Sequence, residues 1–144
     1  MGLDQALDIS VSALEAQRRT MEMISSNIAN INTTRTIWGG PYRRRITVLG
    51  EKALSFSGEL SRAERRLAGG GGVEVVDVVE DKTPFSKIYN PGHPDADEQG
   101  FVSMPNVDLS NEMVDMVYVS RLYEANVNAF NATKKMMQDT LQLQ

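Results

Sequence analysis

The placement of helix-breaking residues constrains the fold of this chain more than any other sequence feature. All five prolines and ten of the eleven glycines lie between Gly39 and Pro105. The stretches 3–38 and 106–144 contain neither residue type. Because glycine and proline are the residues that most often interrupt helices, both terminal stretches are predicted to be largely helical.

Both terminal stretches also carry apolar residues at the seven-residue spacing of helices that pack along a shared stripe. We call these two stripes the seam. In the first stretch the seam comprises Leu3, Leu7, Leu14, Met21, Ile24, Ile28 and Ile31. In the second it comprises Met113, Met116, Tyr123, Val127, Phe130, Met137 and Leu141. The pattern predicts two helices packed as a coiled-coil-like stalk, with the seam as a candidate assembly interface.

Asparagines accompany the seam at Asn27 and Asn30 in the first stretch and at Asn126 in the second. Buried amides require hydrogen-bond partners, so these side chains are candidates for bonds between packed helices, and solvent exposure is the alternative. The first helix is predicted to end between residues 28 and 34, where poor helix formers cluster. Asp108 or Ser110 is the expected N-cap of the second helix.

The middle of the chain is predicted to be β structure. Strand-like segments occur at 42–49, 73–79, 85–89 and 101–104, and are separated by turn-forming residues at 69–72 and 90–94. A short helix is a candidate around 62–67. The expected fold class is therefore α+β, with an N-terminal stalk helix at 1–38, an inserted small antiparallel β domain with loops at 39–105, and a C-terminal stalk helix at 106–144.

Composition excludes several classes of site. The chain has no cysteine and a single histidine, so disulfides, thiolate metal sites and thiol nucleophiles are absent. The net charge is −4, and three successive arginines, Arg43 to Arg45, would alternate between the faces of a strand. We therefore expect no nucleic-acid binding. No stretch reaches the roughly 20 apolar residues of a membrane span.

An acidic segment partly matches a calcium-binding loop. Asp95, Asp97 and Gly100 occupy the first, third and sixth positions of such a loop, but Gln99 and Asn106 stand where further acidic ligands belong. We expect no metal, no cofactor and no catalytic site. A small hydrolase that uses Asp95 or Asp97 is a distant alternative.

Charge is unevenly distributed through the middle of the chain. Residues 41–70 hold seven basic and three acidic side chains, whereas residues 71–112 hold nine acidic and two basic ones. The two blocks either face each other within one chain or meet their opposites on a neighbouring molecule.

Several short motifs, in this order and at these positions, resemble the bacterial flagellar rod and hook protein family. They are SNIANINT at 26–33, GPYR at 40–43, YNPGHP at 89–94, GFVSMPNVD at 100–108, EMV at 112–114, SRLYEAN at 120–126 and KMM at 135–137. The resemblance covers residues 3–50 and 84–144. It departs from the broader family signature at 34–38, where five residues precede Gly39.

The resemblance implies a non-catalytic structural subunit of the proximal rod. Such a subunit assembles helically, in the periplasmic portion of the flagellar basal body, into a driveshaft that transmits motor torque and encloses the export channel. Its implied partners are other copies of itself, neighbouring rod and basal-body proteins, and the type III export apparatus in transit, with no membrane span. Export would need no cleaved signal peptide, and residues 1–10 indeed lack the basic start of one. A soluble coiled-coil adaptor or chaperone-like protein is the alternative.

Overall fold

The computed structural model describes residues 3–52 and 71–142, with side chains from residue 5 onward. In chain order the elements are α1 (Leu3–Ala29), β1 (Arg45–Glu51), β2 (Val73–Glu80), β3 (Ser86–Tyr89), β4 (Phe101–Met104) and α2 (Leu109–Gln142). The α+β class, with a long helix towards each end and small antiparallel sheets between them, is confirmed. The helix expected around 62–67 lies outside the described residues.

α1 ends and α2 begins where local residue chemistry predicts. α1 ends at Ala29, within the expected interval, and a turn follows at 30–32. α2 begins after Asp108, whose Oδ1 accepts the Ser110 N–H at 2.8 Å as an N-cap should. At about 1.5 Å per residue, the 27 residues of α1 and 34 of α2 give lengths of about 40 and about 51 Å.

The four strands form two separate antiparallel pairs. β1 pairs with β2, with Arg45 opposite Glu80 and a bulge after Val48. β3 pairs with β4 as a hairpin, in which the Tyr89 and Phe101 rings pack edge to face with centroids 5.3 Å apart. The strand predictions at 73–79, 85–89 and 101–104 match β2, β3 and β4 to within one residue at each end. β1 begins three residues later than expected.

α1 packs against both α2 and the β1–β2 pair. Thr20 Oγ1 lies 3.0 Å from Thr47 Oγ1 on β1, and Ser12 Oγ accepts the Val73 N–H of β2 at 3.1 Å. The buried apolar core is small, with Ala16 and Ile24 on α1 and Val119 on α2 among its members. A core of this size leaves many large apolar side chains at the surface. None of the described helices combines the length and apolar character needed to cross a lipid bilayer.

Candidate assembly interface

A buried polar cluster joins both helices to the start of β1. It consists of Asn27, Tyr42, Arg44, Arg45 and Glu112, and we call it the Asn27 cluster. The Asn27 side chain is 1% exposed. Its Nδ2 donates to the Arg45 carbonyl at 2.9 Å and to Glu112 Oε2 at 3.0 Å. Its Oδ1 accepts the Arg45 N–H and the Tyr42 hydroxyl, both at 3.0 Å. All four hydrogen-bonding positions of the amide are therefore used.

Glu112 supplies the charge of the Asn27 cluster. Its side chain is fully buried and pairs with Arg44, which also reaches Asp115 Oδ2 at 3.0 Å. Burial by itself lowers the pKa of Arg44. The hydrogen bond from Arg44 to Glu112 and the negative charges of Glu112, Asp115 and Asp81 outweigh that effect, so the pKa of Arg44 lies above its ordinary value. The guanidinium thus stays charged and neutralises the buried carboxylate.

The three successive arginines all have partners in their own chain. Arg43 donates to the Asp81 carbonyl at 3.1 Å and stacks over the Phe85 ring at 4.3 Å. Arg44 pairs with Glu112, and the Arg45 guanidinium lies 3.9 Å from Glu80. Among the described residues, the basic block therefore meets the acidic block within one molecule, which favours the intrachain alternative of the sequence analysis.

Most of the seam lies half-buried along the helices. Ile24 is buried, and Leu7, Leu14, Met21, Ile28, Ile31, Met116, Tyr123, Val127, Phe130 and Met137 are half-buried. Met113 and Leu141 are instead 56% and 67% exposed. A straight α-helix drifts by roughly 20° per heptad relative to a strict seven-residue repeat, so a strict heptad seam does not stay on one side of a straight helix over several heptads. The Leu3 side chain is outside the described part.

The three candidate asparagines have different surroundings. Asn27 joins the helices through Glu112. Asn30 bonds locally, donating to the Ser26 carbonyl at 2.9 Å and accepting the Thr33 hydroxyl at 3.1 Å. Asn126 is half-buried on α2. Of the three, only Asn27 has a described hydrogen bond between the two helices.

A second apolar surface, which the seam analysis missed, runs along the outside of α2. We call it the outer face; it comprises Leu109, Met113, Val114, Val117, Tyr118 and Leu122, with exposures from 37% to 67%. The sequence signal for it is two series at four-residue spacing, 109–113–117 and 114–118–122, which place apolar side chains side by side on a helix. The heptad pattern captured only Met113 from this set.

The acidic segment has structural contacts. Asp95 accepts the Thr34 hydroxyl at 2.8 Å and lies 3.6 Å from the Arg35 guanidinium. Asp97 Oδ1 accepts the N–H groups of Gln99 and Phe101, at 3.0 and 2.8 Å, and so closes the β3–β4 turn. Within the described ranges, no three His, Cys, Asp or Glu side chains are grouped so that they could hold a metal ion.

Comparison with known protein families places both helices in one class. Residues 7–35, which hold most of α1, match the family described as flagella basal body rod protein. Residues 98–143, which hold β4 and α2, match the C-terminal family of flagellar basal body rod FlgEFG proteins. Within the Asn27 cluster, Asn27 lies in the first of these matches and Glu112 lies in the second. The fold and its terminal helices are thus those of a flagellar rod protein.

Relatives that align over nearly the whole chain define its family more narrowly within the flagellar rod proteins. The chain is 45% identical to flagellar basal-body rod protein FlgC of Bacillus subtilis, over 96% of this chain and 95% of the relative. It is 40% identical to FlgC of Escherichia coli O6:H1 and 38% identical to FlgC of Salmonella typhimurium, each over 99% of this chain and 98% of the relative. The chain belongs to the flagellar basal-body rod protein FlgC family. The similarity therefore extends through residues 51–83, which the motif resemblance did not cover.

Membership in this family gives the chain the role of a structural rod subunit of the flagellar basal body, which assembles with other rod and basal-body proteins. The function and the family expected from the sequence motifs are confirmed.

Proposed function

We propose that the chain is a non-catalytic subunit of the proximal rod. Copies of it pack helically with one another and with neighbouring rod proteins into a hollow driveshaft, which transmits motor torque and encloses the export channel. The observation that carries this proposal is the outer face of α2. Six large apolar side chains on the first half of α2 are 37% to 67% exposed in the single chain.

An apolar surface of this kind on a protein of this size marks an interaction site rather than an ordinary solvated surface. The outer face is a surface of α2. The helix that packs against α2 within the same molecule is α1. Contacts between unlike surfaces of identical subunits do not close on themselves unless the rotation completes a ring, so they generate helical assemblies. The exposed seam residue Leu141 adds to the available surface near the end of α2. The half-buried seam residues would contribute their uncovered edges.

The Asn27 cluster suits a part that carries torque. A fully hydrogen-bonded buried network holds α1, the start of β1 and α2 in one geometry, because any relative displacement would leave buried polar groups without partners. A subunit in which the two helices slipped past each other would absorb rotation instead of passing it on. We assign the cluster this role of fixing the helix geometry on which the assembly surfaces depend.

The proposal also includes how the chain is exported and where it assembles. We propose export through the type III apparatus without a cleaved signal peptide, followed by assembly in the periplasmic portion of the basal body. Long helices take most of their stability from packing, so the chain can travel unfolded and regain its helices at the growing end of the rod. No cofactor, nucleic acid or membrane span has a part in this mechanism.

Introducing a negative charge on the outer face tests this proposal. Val114→Asp and Val117→Asp each put a carboxylate at a position that is more than half exposed in the single subunit, so folding is spared while an apolar contact is lost. Asn128→Asp, at an exposed polar position of the same helix, is the matched control. In cells that make each variant in place of the natural chain, basal bodies would be isolated and swimming measured.

We expect both outer-face variants to be made and exported yet to be absent from basal bodies, with swimming lost, while the control swims. Normal rods containing Val114→Asp or Val117→Asp would refute the outer face as an assembly surface. A chain that forms only small closed oligomers in cells, with basal bodies intact without it, would favour the adaptor alternative.

A further inference from the structure

One edge of the β1–β2 pair carries main-chain groups that no described strand meets. In an antiparallel pair, alternate residues direct their N–H and carbonyl groups to the partner strand, and the residues between them direct these groups outward. The Asp81 N–H donates to the Arg44 carbonyl at 2.8 Å, so Asp81 faces β1. Val78 and Glu80 therefore face away from β1. No described strand pairs with β2 on this side, which we call the β2 edge.

The opposite edge of the pair is occupied at the start of β1. Asn27 Nδ2 donates to the Arg45 carbonyl, and Asn27 Oδ1 accepts the Arg45 N–H. The amide therefore takes the place of a neighbouring strand. α1 also reaches the start of β2, where Ser12 Oγ accepts the Val73 N–H at 3.1 Å. The part of the β2 edge that remains available is the second half of the strand.

A carboxylate shields this available part in the single chain. The Val78 N–H donates to Oδ1 of its own neighbour, Asp77, at 2.8 Å. The side chain thus holds a donor that an added strand would use. Charged side chains commonly protect strand edges against untimely pairing. Rotation of the Asp77 side chain would release the N–H, so the shield is reversible.

β3 presents a second edge that no described strand meets. The Asn90 N–H donates to the Gly100 carbonyl at 2.9 Å, so Asn90 and, two residues earlier, Ile88 face β4. Lys87 and Tyr89 therefore direct their main-chain groups outward, on the side that we call the β3 edge. All four residues of β3 are exposed. The β3 edge is thus open along its whole length within the described part of the chain.

The two edges have opposite charge. β2 carries three carboxylates and no cation, whereas the only charged side chain of β3 is Lys87. Two β2 edges would repel each other, and a β2 edge and a β3 edge attract.

We propose that the β3 edge of one copy of this chain pairs with the β2 edge of a second copy. The strands run antiparallel, and three facing pairs define the register: Lys87 opposite Glu80, Ile88 opposite Val79, and Tyr89 opposite Val78. An ion pair, an aliphatic pair and an aromatic pair with a β-branched residue are all favourable across strands.

The outward-facing groups restrict the register to steps of two residues. A step in one direction places Lys87 opposite Lys82, and a step in the other places Ile88 opposite Asp77. Both steps lose the ion pair with Glu80, and like charges directly opposite each other are destabilising. The proposed register is therefore favoured over both of its neighbours.

The proposed register also continues side-chain rows that already exist. Val79 lies opposite Ile46 within the chain, so Ile88 of the second copy would extend an apolar row. Glu80 lies 3.9 Å from the Arg45 guanidinium, and the added lysine would give it a second cation on its other side.

The pairing joins different copies because β2 and β3 of one chain lie in separate sheets without contact between them. The two edges are different surfaces, so the contact is heterologous and propagates an open assembly when repeated. A four-residue strand buries far less than the roughly 800 Å² per partner of a stable interface, so it would fix register within a larger contact. The inference rests on the proposed self-assembly and adds to it a specific pair of sites.

The chain contains no cysteine, so single-cysteine variants test the pairing directly. Val79→Cys and Ile88→Cys would be made on separate copies in one cell, and isolated basal bodies would be oxidised. Facing residues of this kind have Cα atoms about 4.5 Å apart, within the range of a disulfide. We expect a disulfide-linked dimer of this chain.

The matched control replaces Ile88→Cys with Ser86→Cys, on the same face of the same exposed strand. In the proposed register, position 86 is a diagonal neighbour of position 79, at about 7 to 8 Å, where a disulfide does not form without backbone movement. We expect the dimer yield to fall about tenfold or more.

Reversal of the two charges separates pairing from folding. With the cysteine pair in place, Glu80→Lys alone and Lys87→Glu alone are each expected to lower the dimer yield about fivefold. The two changes together are expected to restore it to within about twofold. Because Glu80 also pairs with Arg45 in its own chain, a mere folding defect of Glu80→Lys would not be repaired by a change on β3. Asp77→Ala removes the shield and is expected to raise the yield in purified protein about threefold.

Basal bodies that contain the cysteine variants but give no dimer would overturn this inference and leave the rod function standing. So would equal yields with Ile88→Cys and Ser86→Cys, or a double charge reversal that stays as low as Glu80→Lys alone. Basal bodies that lack the natural chain altogether would overturn both the inference and the proposed function.

Discussion

Asn27 Nδ2 donates to Glu112 Oε2 at 3.0 Å, although the two residues are 85 positions apart in the sequence. Both side chains are buried, one near the end of α1 and the other in the first turn of α2. This bond fixes the axial register between α1 and α2. The positions of the outer face and of the α2 part of the seam relative to α1 therefore depend on it.

Replacing Asn27 is expected to destabilise the fold severely. Asn27→Ala removes four hydrogen bonds and leaves buried partners on Tyr42, Arg45 and Glu112 unsatisfied. At about 1 to 3 kcal/mol for each buried unsatisfied group, we expect a loss of roughly 3 kcal/mol or more in the free energy of unfolding, measured by urea denaturation. Asn32→Ala, at an exposed position, is the control and is expected to cost about 0.5 kcal/mol or less. A loss below about 1 kcal/mol for Asn27→Ala would show that the cluster is dispensable.

The two carboxylates that Arg44 contacts are expected to differ sharply in importance. Glu112→Ala leaves a largely buried guanidinium without its main partner, and breaking such a pair costs about 3 to 5 kcal/mol. Asp115→Ala removes a half-exposed carboxylate, for which about 0 to 1 kcal/mol is expected. Denaturant unfolding of the two variants side by side measures the difference, and equal losses would contradict the assignment of Glu112 as the buried charge.

The contribution of Arg44 is expected to be independent of pH in the accessible alkaline range. The pKa of Arg44 is raised in the folded chain, so its stabilising effect is fully present below the ordinary pKa of arginine and is lost only above it. The difference in unfolding free energy between the natural chain and Arg44→Gln should therefore stay constant from neutral pH to about pH 9. A difference that shrinks as the pH rises through this range would contradict the ion pair.

Replacing Gly72 with alanine is expected to destabilise the chain, whereas replacing Gly92 with alanine is expected to be tolerated. Gly72 has a φ of 97°, and an added Cβ would overlap Ser12 Oγ on α1. Gly72→Ala is expected to cost roughly 2 kcal/mol or more from backbone strain and displacement of α1. Gly92 has no positive φ, and its added Cβ would come no closer than 3.8 Å to a neighbouring atom, Asn90 Oδ1, so Gly92→Ala should be tolerated. Melting temperatures of the pair test this, and similar values would contradict the close approach of β2 to α1.

The sequence predicts the local elements of this fold well because each has a local cause. The breaker-free ends become α1 and α2, Asp108 caps α2, and the hairpin turn follows Asn90, Pro91 and Gly92. Short motifs also identified the family. These features depend on residues close together in the chain, so periodicity and turn chemistry suffice to find them.

The sites were less accessible to sequence reasoning because they depend on packing. Glu112 reads as an ordinary acidic residue at a helix start, and only the fold brings it to Asn27 and Arg44. The outer face of α2 was hidden because the heptad repeat emphasises Tyr123 and Phe130, whereas Val114 and Tyr118 follow the four-residue spacing on another side of the helix. Which side is covered follows from the position of α1, which no local pattern specifies.

We propose that this chain forms part of the rod wall, with the outer face of α2 buried against a neighbouring subunit. Electron cryo-microscopy of isolated basal bodies tests it most directly. We expect density for repeated copies of this fold within the proximal rod, with Val117 and Tyr118 in contact with the next subunit. Copies located outside the rod, or copies within it whose outer face is open to solvent, would contradict this placement.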